Sequence, residues 1–379
     1  MIPGDGREYC VTVRDAVSVR AEDGRYVNNC NVSAFISQLP TTTTAAAGAV
    51  DTKQFSSRDA SGSTSQAANV SEAVEMGAKA LLVDEDVSAA NFMARDGRMR
   101  ALVMDESITP LLYRVNGLYD THGISSIVVV GGVGDWLDVA HRVLLLDKYV
   151  THDATAKAQS ISRQFSYGHV QYAGRGVVHR LPWEKEGTPL QRRPTPSTLT
   201  NYTRESTFDD NDDSMAVFVE VADGGGHVFT IERPSHGNND DDDDDDGGVV
   251  DMTRCEQLLG RKPQLVGCGL CLRKLLQLCR DNPGMGVGEG LTQLEEHLSR
   301  HGMQSLLGAD QALLVVAVRP RRHEVFMALT RLRGLALEPI PASKQDNEMD
   351  TEALKEAQRR KQELAQLWSN RRGSKKRFA

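Results

Sequence analysis

Cysteine, aromatic residues and long apolar runs are all scarce in this chain. Six cysteines in 379 residues do not suggest a disulfide scaffold, and a reducing compartment is the simpler reading. No apolar run approaches the roughly 18 residues of a membrane span. The N-terminus has neither the apolar core of a secretory leader nor an Arg-rich amphipathic presequence. An excess of positive charge is also lacking. The net charge of −8 gives no global basic signature for nucleic acid. There is no tandem repeat, and no long coiled-coil heptad pattern appears.

What is present is unevenly distributed. The apolar fraction of 40% suffices for a core, and the length suggests two or three domains. Residues 240–246 are seven consecutive aspartates, which read as a solvated insertion rather than a metal site. Residues 359–379 carry eight Lys/Arg against the single acid Glu363, a local charge of +7. Four segments follow from these shifts: an α/β domain at 1–165, a linker with a small β element and the acidic insert at 166–251, a helical domain at 252–336, and an amphipathic helix with a basic tail at 337–379.

Within the first segment, residues 9–13 and 26–32 read as strands around the polar turn 22–25. Residues 41–65, rich in Thr, Ala, Ser and Gly, read as loop. Residues 66–77 read as a helix with Ala67, Val70, Ala73 and Val74 on one face. Residues 79–83 and 124–130 are continuous apolar strands. Residues 96–104 and 110–119 read as helical, and 139–146 is a further apolar stretch. Strands buried on both faces that alternate with helices predict a parallel α/β sheet. In the linker, 215–221 and 227–231 are strand-like islands. The leucine-rich stretch 252–335 reads as helical, with Pro320 able to open its last helix.

The chemistry-bearing residues sit in the first segment. Ala80-Leu81-Leu82-Val83-Asp84-Glu85 is an apolar strand that ends in two carboxylates. Such a strand tip suits phosphoryl transfer, with one carboxylate holding Mg2+ and the next orienting or deprotonating the attacking water. Alone, the pattern equally describes a strand that meets a polar turn. Ser61-Gly62-Ser63-Thr64-Ser65-Gln66 opens a helix 23 residues before Asp84. A helix N-terminus with free N–H groups and hydroxyls can grip phosphate, or the stretch is an ordinary Ser-rich cap. Ser88-Ala89-Ala90-Asn91 follows four residues after Asp84, and Ile127-Val128-Val129-Val130 ends in Gly131-Gly132 with Asp135 just beyond. Val139-Ala140-His141-Arg142-Val143-Leu144-Leu145-Leu146 closes the series.

In this order and spacing the segments resemble the signature, Walker B strand, D-loop, switch strand and sheet-closing segment of ABC ATPases. IPGDGRE, ASGSTSQAAN, LLVDED, ITPLLYRV and VVVGG, with the later EQLL and RLRGL, are similar to the "predicted ATPase of the ABC class" family, whose kinetoplastid member is a mitochondrial RNA-editing factor. The resemblance implies an ABC-type P-loop NTPase fold with a C-terminal helical domain, ATP and Mg2+ as ligands, and a head-to-tail homodimer. It implies RNA or RNA-editing proteins as partners, no membrane, and a mitochondrial or alternatively cytoplasmic location. Ser61, Gly62, Ser63 and Gln66 are then the nucleotide-binding set. Asp84 helps hold Mg2+, Glu85 is the catalytic base, Asn91 couples the two sites, and Asp135 is the candidate switch residue.

Two departures stand out. The chain contains no G-x-x-x-x-G-K-[ST] sequence, so the expectation is the C-terminal portion of such an ATPase, or a subunit that offers its signature face to another. Val133 stands where the family usually has Ser. Three further signals carry two readings each. Cys268-Gly269-Leu270-Cys271 reads as core packing ahead of metal or redox chemistry. The basic tail reads as an RNA-phosphate contact, a localisation signal or a solvated end. His179, Arg180, Trp183, Lys185, Arg192 and Arg193 read as a loop that covers the core, with RNA contact as the rival.

Overall fold

The computed structural model describes residues 12–37, 51–103, 106–165, 191–202, 217–222, 226–231, 248–255, 262–307 and 317–340. The acidic run, the basic tail, Cys10 and residues 179–185 lie outside them, as does the helix expected in 352–368.

The first unit begins with β1 (Ala16–Val19), then β2 (Arg25–Cys30) and β3 (Phe55–Ala60), an antiparallel pair. α1 (Gly62–Glu75) leads into β4 (Ala80–Asp84). The short helices α2 (Ala90–Met93) and α3 (Gly97–Leu102), then α4 (Val115–His122), lead to β5 (Ser125–Val129). β1, β4 and β5 lie side by side in that order, all parallel, with Ala16 opposite Ala80 and Ala80 opposite Ser125. The pairing brings the carboxyl ends of the strands to one edge, where Asp84 and the chain after Val129 emerge. Caps fix several ends. Asp96 Oδ1 accepts from the N–H groups of Arg98 and Met99 at 2.7 and 3.0 Å to start α3. Gly123 ends α4 in the left-handed region at φ 65°.

The expected parallel α/β sheet is present, with local differences. The first strand is Ala16–Val19, not 9–13, of which 9–11 lie outside the described residues. The stretch 41–65 is not all loop, because 55–60 pairs with β2 and α1 already starts at Gly62. The stretch 110–119 divides into a 3-10 turn at Leu111–Tyr113 and α4. The largest difference concerns exposure. β5 was expected to be buried on both faces, yet Ile127 and Val129 are 60% and 61% exposed. Beyond α5 (Trp136–Val139), β6 (Leu144–Asp147) forms an antiparallel hairpin with β7 (Val150–Asp153) and does not join the parallel sheet. Leu146 on it is 68% exposed. Apolar composition dictates burial only where something covers it, and among the described residues nothing covers this side. α6 (Thr155–Gln164) packs back on α5.

The second unit starts inside the stretch read as linker. β8 (Arg192–Pro194) and α7 (Pro196–Leu199) precede β9 (Val217–Ala222), β10 (Gly226–Ile231) and β11 (Val249–Asp251), an antiparallel sheet in the order β11-β10-β9. α8 (Lys262–Asp281) and α10 (Arg322–Arg331) pack on it, α9 (Val287–His301) packs on α8, and β12 (Leu337–Pro339) returns to pair with β8. The expected strand islands are β9 and β10, and α10 begins two residues after Pro320. Leu265, Leu270, Leu272, Leu275 and Leu276 of α8 are fully buried. So are Cys268 and Cys271, in keeping with core packing, and burial pushes the Cys271 thiol up to about 12. Gly267 is required by a close approach: a Cβ there would lie 1.9 Å from the carbonyl oxygen of Val318.

The two units share one apolar core, and a buried charge network also joins them. α1 is buried almost all round, and the side opposite its apolar face carries Asn69, Glu72 and Glu75. Arg25 donates to Asn69 at 2.8 Å and pairs with Glu72. Arg192 pairs with Glu75 at 2.7 Å and with Glu72 at 3.4 Å. Arg331, from α10, pairs with Glu22 at 2.7 Å and donates to Asn69 at 3.0 Å. Three guanidinium and three carboxylate groups thus neutralise one another inside the molecule, the arrangement that buried charge demands. Burial alone would raise the Glu22 and Glu72 carboxyls. Arg331 and Arg25 around Glu22, and Arg25 and Arg192 around Glu72, outweigh it and hold both below the usual range. Arg192 is therefore a structural cation, and Arg193 pairs with Glu338 at 2.7 Å. For these two residues the core-covering reading applies.

Candidate functional site

Three segments meet at the N-terminal end of α1. Ser61 is its N-cap, with its hydroxyl 3.1 Å from that of Thr64 rather than bonded to the first-turn amides. Those N–H groups have no intrahelical acceptor and carry the positive end of the helix dipole. Gly62 has a steric reason: a Cβ there would sit 2.9 Å from Oδ1 of Asp23. Ser63 donates to Oδ1 of Asn91 at 2.6 Å. Gln66 is wholly buried, and its amide is used on both sides, Nε2 donating to Ser88 Oγ and Oε1 accepting from Ala89 N–H, both at 2.9 Å. Ser88 Oγ in turn donates to the carbonyl of Asp84 at 2.6 Å. Gln66 therefore braces the site from within and is not on its surface.

An open cleft of about 430 Å3 lies against this end of α1. Gly62, Ser63, Ser88 and Ala89 line it together with Arg20, Asp23 and Arg254. Arg254 comes from the second unit, just after β11, and donates to the carbonyl of Asp23 at 3.0 Å. The sequence reading did not single out Arg20 or Arg254. Neither lies in a motif, and only the fold brings Arg254 to a residue 231 positions earlier.

The two carboxylates separate at the strand tip. Asp84 is exposed, and its Oδ1 accepts only the N–H of Asp86, at 3.1 Å, as the cap of a 3-10 turn at Glu85–Val87. Glu85 is half-buried. Its Oε2 accepts two backbone N–H groups, from Gly131 at 2.7 Å and Gly132 at 3.0 Å. Asp135 is buried three residues further on, at the start of α5. Signature-like helix, D-loop-like turn and acidic strand tip thus form one continuous hydrogen-bonded unit. Asp135 follows β5 in the chain and is buried at the start of α5.

A parallel sheet whose central strand ends in adjacent carboxylates, flanked by a helix N-terminus, is an α/β P-loop NTPase fold, here with a helical C-terminal region. Residues 1–180 match the family model of the ABC ATPase P-loop domain, and residues 246–338 match that of the MRB1590 C-terminal domain. The protein is thus ABC-ATPase-like, with an MRB1590-like C-terminus. No curated protein sequence matches the chain. Among the described residues no helix is long and apolar enough to cross a membrane.

Proposed function

We propose that the chain is an ABC-type nucleotide-hydrolysing module that meets ATP and Mg2+ at a dimer interface and acts in mitochondrial RNA metabolism, in company with RNA-editing proteins. The observation that carries this reading is the bonded unit Ser63–Asn91 and Gln66–Ser88–Asp84. It ties the phosphate-gripping helix end to the acidic strand tip, so that a change at one is felt at the other. Ser61 is exposed and Gly62 half-exposed, with the buried Ser63 beside them on the cleft wall, where a phosphate chain from a partner could reach the first-turn amides. Asp84 fits Mg2+ in the way that this ion is usually held, by one or two carboxylates, water and substrate phosphates. One of its oxygens makes no hydrogen bond among the described residues. No complete cage of His, Cys, Asp and Glu exists among them either, and none is needed. The bound ion would neutralise charge on the phosphates. Glu85 is the group placed to orient and deprotonate water, with Asp135 as the switch.

The lysine-bearing phosphate loop that such an interface needs has no G-x-x-x-x-G-K-[ST] match in these 379 residues. Its backbone amides and lysine supply much of the phosphate contact. Calorimetry with Mg2+ and ATP is therefore expected to show weak binding by this chain alone and a gain when a loop-bearing ABC-type partner is added. Low-micromolar affinity for the isolated chain sinks the idea of a loop supplied from elsewhere. No nucleotide response in the mixture sinks the nucleotide reading.

The missing loop motif also favours a second reading, a non-catalytic RNA-binding or assembly subunit on the same architecture. Its natural contact is the tail at 359–379. Deletion of the tail is expected to weaken RNA binding at low salt and to flatten its salt dependence, since each neutralised phosphate releases counterions. Only Trp368 and Phe378 in it could stack on bases, so little sequence preference is expected. Unchanged affinity and salt slope at two salt concentrations make the tail a spectator.

A further inference from the structure

We propose that the backbone amides of Gly131 and Gly132 are the positioning groups for the Glu85 carboxylate. The inference rests on Glu85 being the base of the proposed reaction. Both N–H groups converge on a single oxygen, Oε2, at 2.7 and 3.0 Å. A carboxylate oxygen offers about two in-plane lone pairs. Oε2 is therefore filled, and Oε1 is the oxygen left to accept a proton from water.

The clamp is delivered by the sheet. Asp84 is paired in register with Val129 on the parallel neighbour. Glu85 leaves β4 one residue later, and Gly131 follows β5 by two. The main chain of Glu85 is held as well, its carbonyl accepting the N–H of Ser88 at 3.1 Å. Glu85 is thus fixed through backbone and side chain between two strands that cannot slide, the condition for a preorganised base. The chain spends two amides here at a point where a side chain could have served. Amides cannot swing away, and they do not titrate.

The position also defines its own control. A Cβ on residue 132 would lie 3.5 Å from Glu85 Oε1, an ordinary contact. Gly132→Ala therefore keeps both the amide and the space, whereas Gly132→Pro removes the donor.

The test uses the full chain labelled with nitrogen-15 glycine, without nucleotide. The Gly131 and Gly132 amide protons are expected downfield, as donors to a carboxylate oxygen. Glu85→Ala should move both resonances upfield, and Gly132→Ala should preserve the downfield position of Gly131. In a preparation that turns over ATP, Gly132→Pro is expected to lower kcat by about 10- to 10²-fold, the usual result of misplacing a reacting group by about 1 Å. KM should not change, and Gly132→Ala, which keeps the donor, should lower kcat much less than Gly132→Pro. Glycine resonances that ignore Glu85→Ala overturn the inference, as do equal losses of kcat from the proline and alanine variants. The spectra need no nucleotide, so a chain that never hydrolyses ATP overturns the proposed function by a separate route.

Discussion

Glu85→Gln is expected to lower kcat by about 10²–10⁴-fold, the contribution of a positioned general base, while nucleotide affinity is preserved and the dimer persists. The measurement is steady-state turnover against equilibrium binding in a preparation that hydrolyses ATP. Glutamine has the shape of glutamate, and its carbonyl can still accept the N–H groups of Gly131 and Gly132. Its remaining group is an amide nitrogen, which cannot take a proton from water. The loss therefore falls on the chemical step and spares binding. Trapped nucleotide at the interface is expected, because the contacts made by Ser61, Gly62 and Ser63 do not involve Glu85. A fall in kcat of less than about tenfold removes Glu85 from the role of base, and a parallel loss of affinity assigns it to binding.

The second large effect concerns stability. Arg331→Met is expected to destabilise the protein by about 3–5 kcal/mol, the range seen when one partner of a buried ion pair is removed. Glu22 keeps its charge but loses the two-pronged contact at 2.7 and 3.2 Å, and Asn69 loses a donor. Removing Glu22 at the same time, as Glu22→Met with Arg331→Met, is expected to restore part of the loss, because no uncompensated charge is then left inside. Urea midpoints of the two variants decide this, and equal midpoints for the single and double variants sink it. The network also sets a pH dependence. Glu22 and Glu72 have folded pKa values below the ordinary 4.5. Their stabilisation is present above that value and is lost as pH falls below it through the folded values. The wild type should therefore weaken as pH falls below about 4.5, and the double variant should weaken less.

How much of this was written in the sequence differs from element to element. The central strand and the α1 start were legible because an apolar run ending in Asp84-Glu85, and a Ser/Gly cluster before a helix, are local patterns. Hence Ser61, Gly62, Ser63 and the carboxylate pair could be singled out in the sequence, although their proposed roles rest on the family resemblance. The bracing role of Gln66 could not, since it depends on Ser88 and Ala89 folding back 22 and 23 residues later. The Gly131–Gly132 clamp was equally hidden, because backbone amides leave no trace in side-chain chemistry. The β6–β7 hairpin was missed for a different reason. Its turn places Lys148 and Tyr149 at φ 48° and 66°, which Asn-Gly would have announced and Lys-Tyr does not. Arg192 looked like one basic residue among several, and only its partners Glu72 and Glu75, more than a hundred positions earlier, show it to be internal.

The same charge network has a bearing on synthesis. Glu75 leaves the ribosome 256 residues before Arg331. At about 5–20 residues per second, α1 exists for roughly 13–50 s with Glu22, Glu72 and Glu75 made but Arg331 not, offset first by Arg25 alone and, once residue 192 is made, by Arg25 and Arg192. During that interval the helix cannot be sealed into the interior without stranding negative charge. The nascent first half is thus expected to stay open and protease-sensitive until α10 has emerged, and to draw holding factors that its finished form has no use for. Arrested nascent chains ending before and after residue 331, compared by limited proteolysis, would show protection arriving with that one arginine.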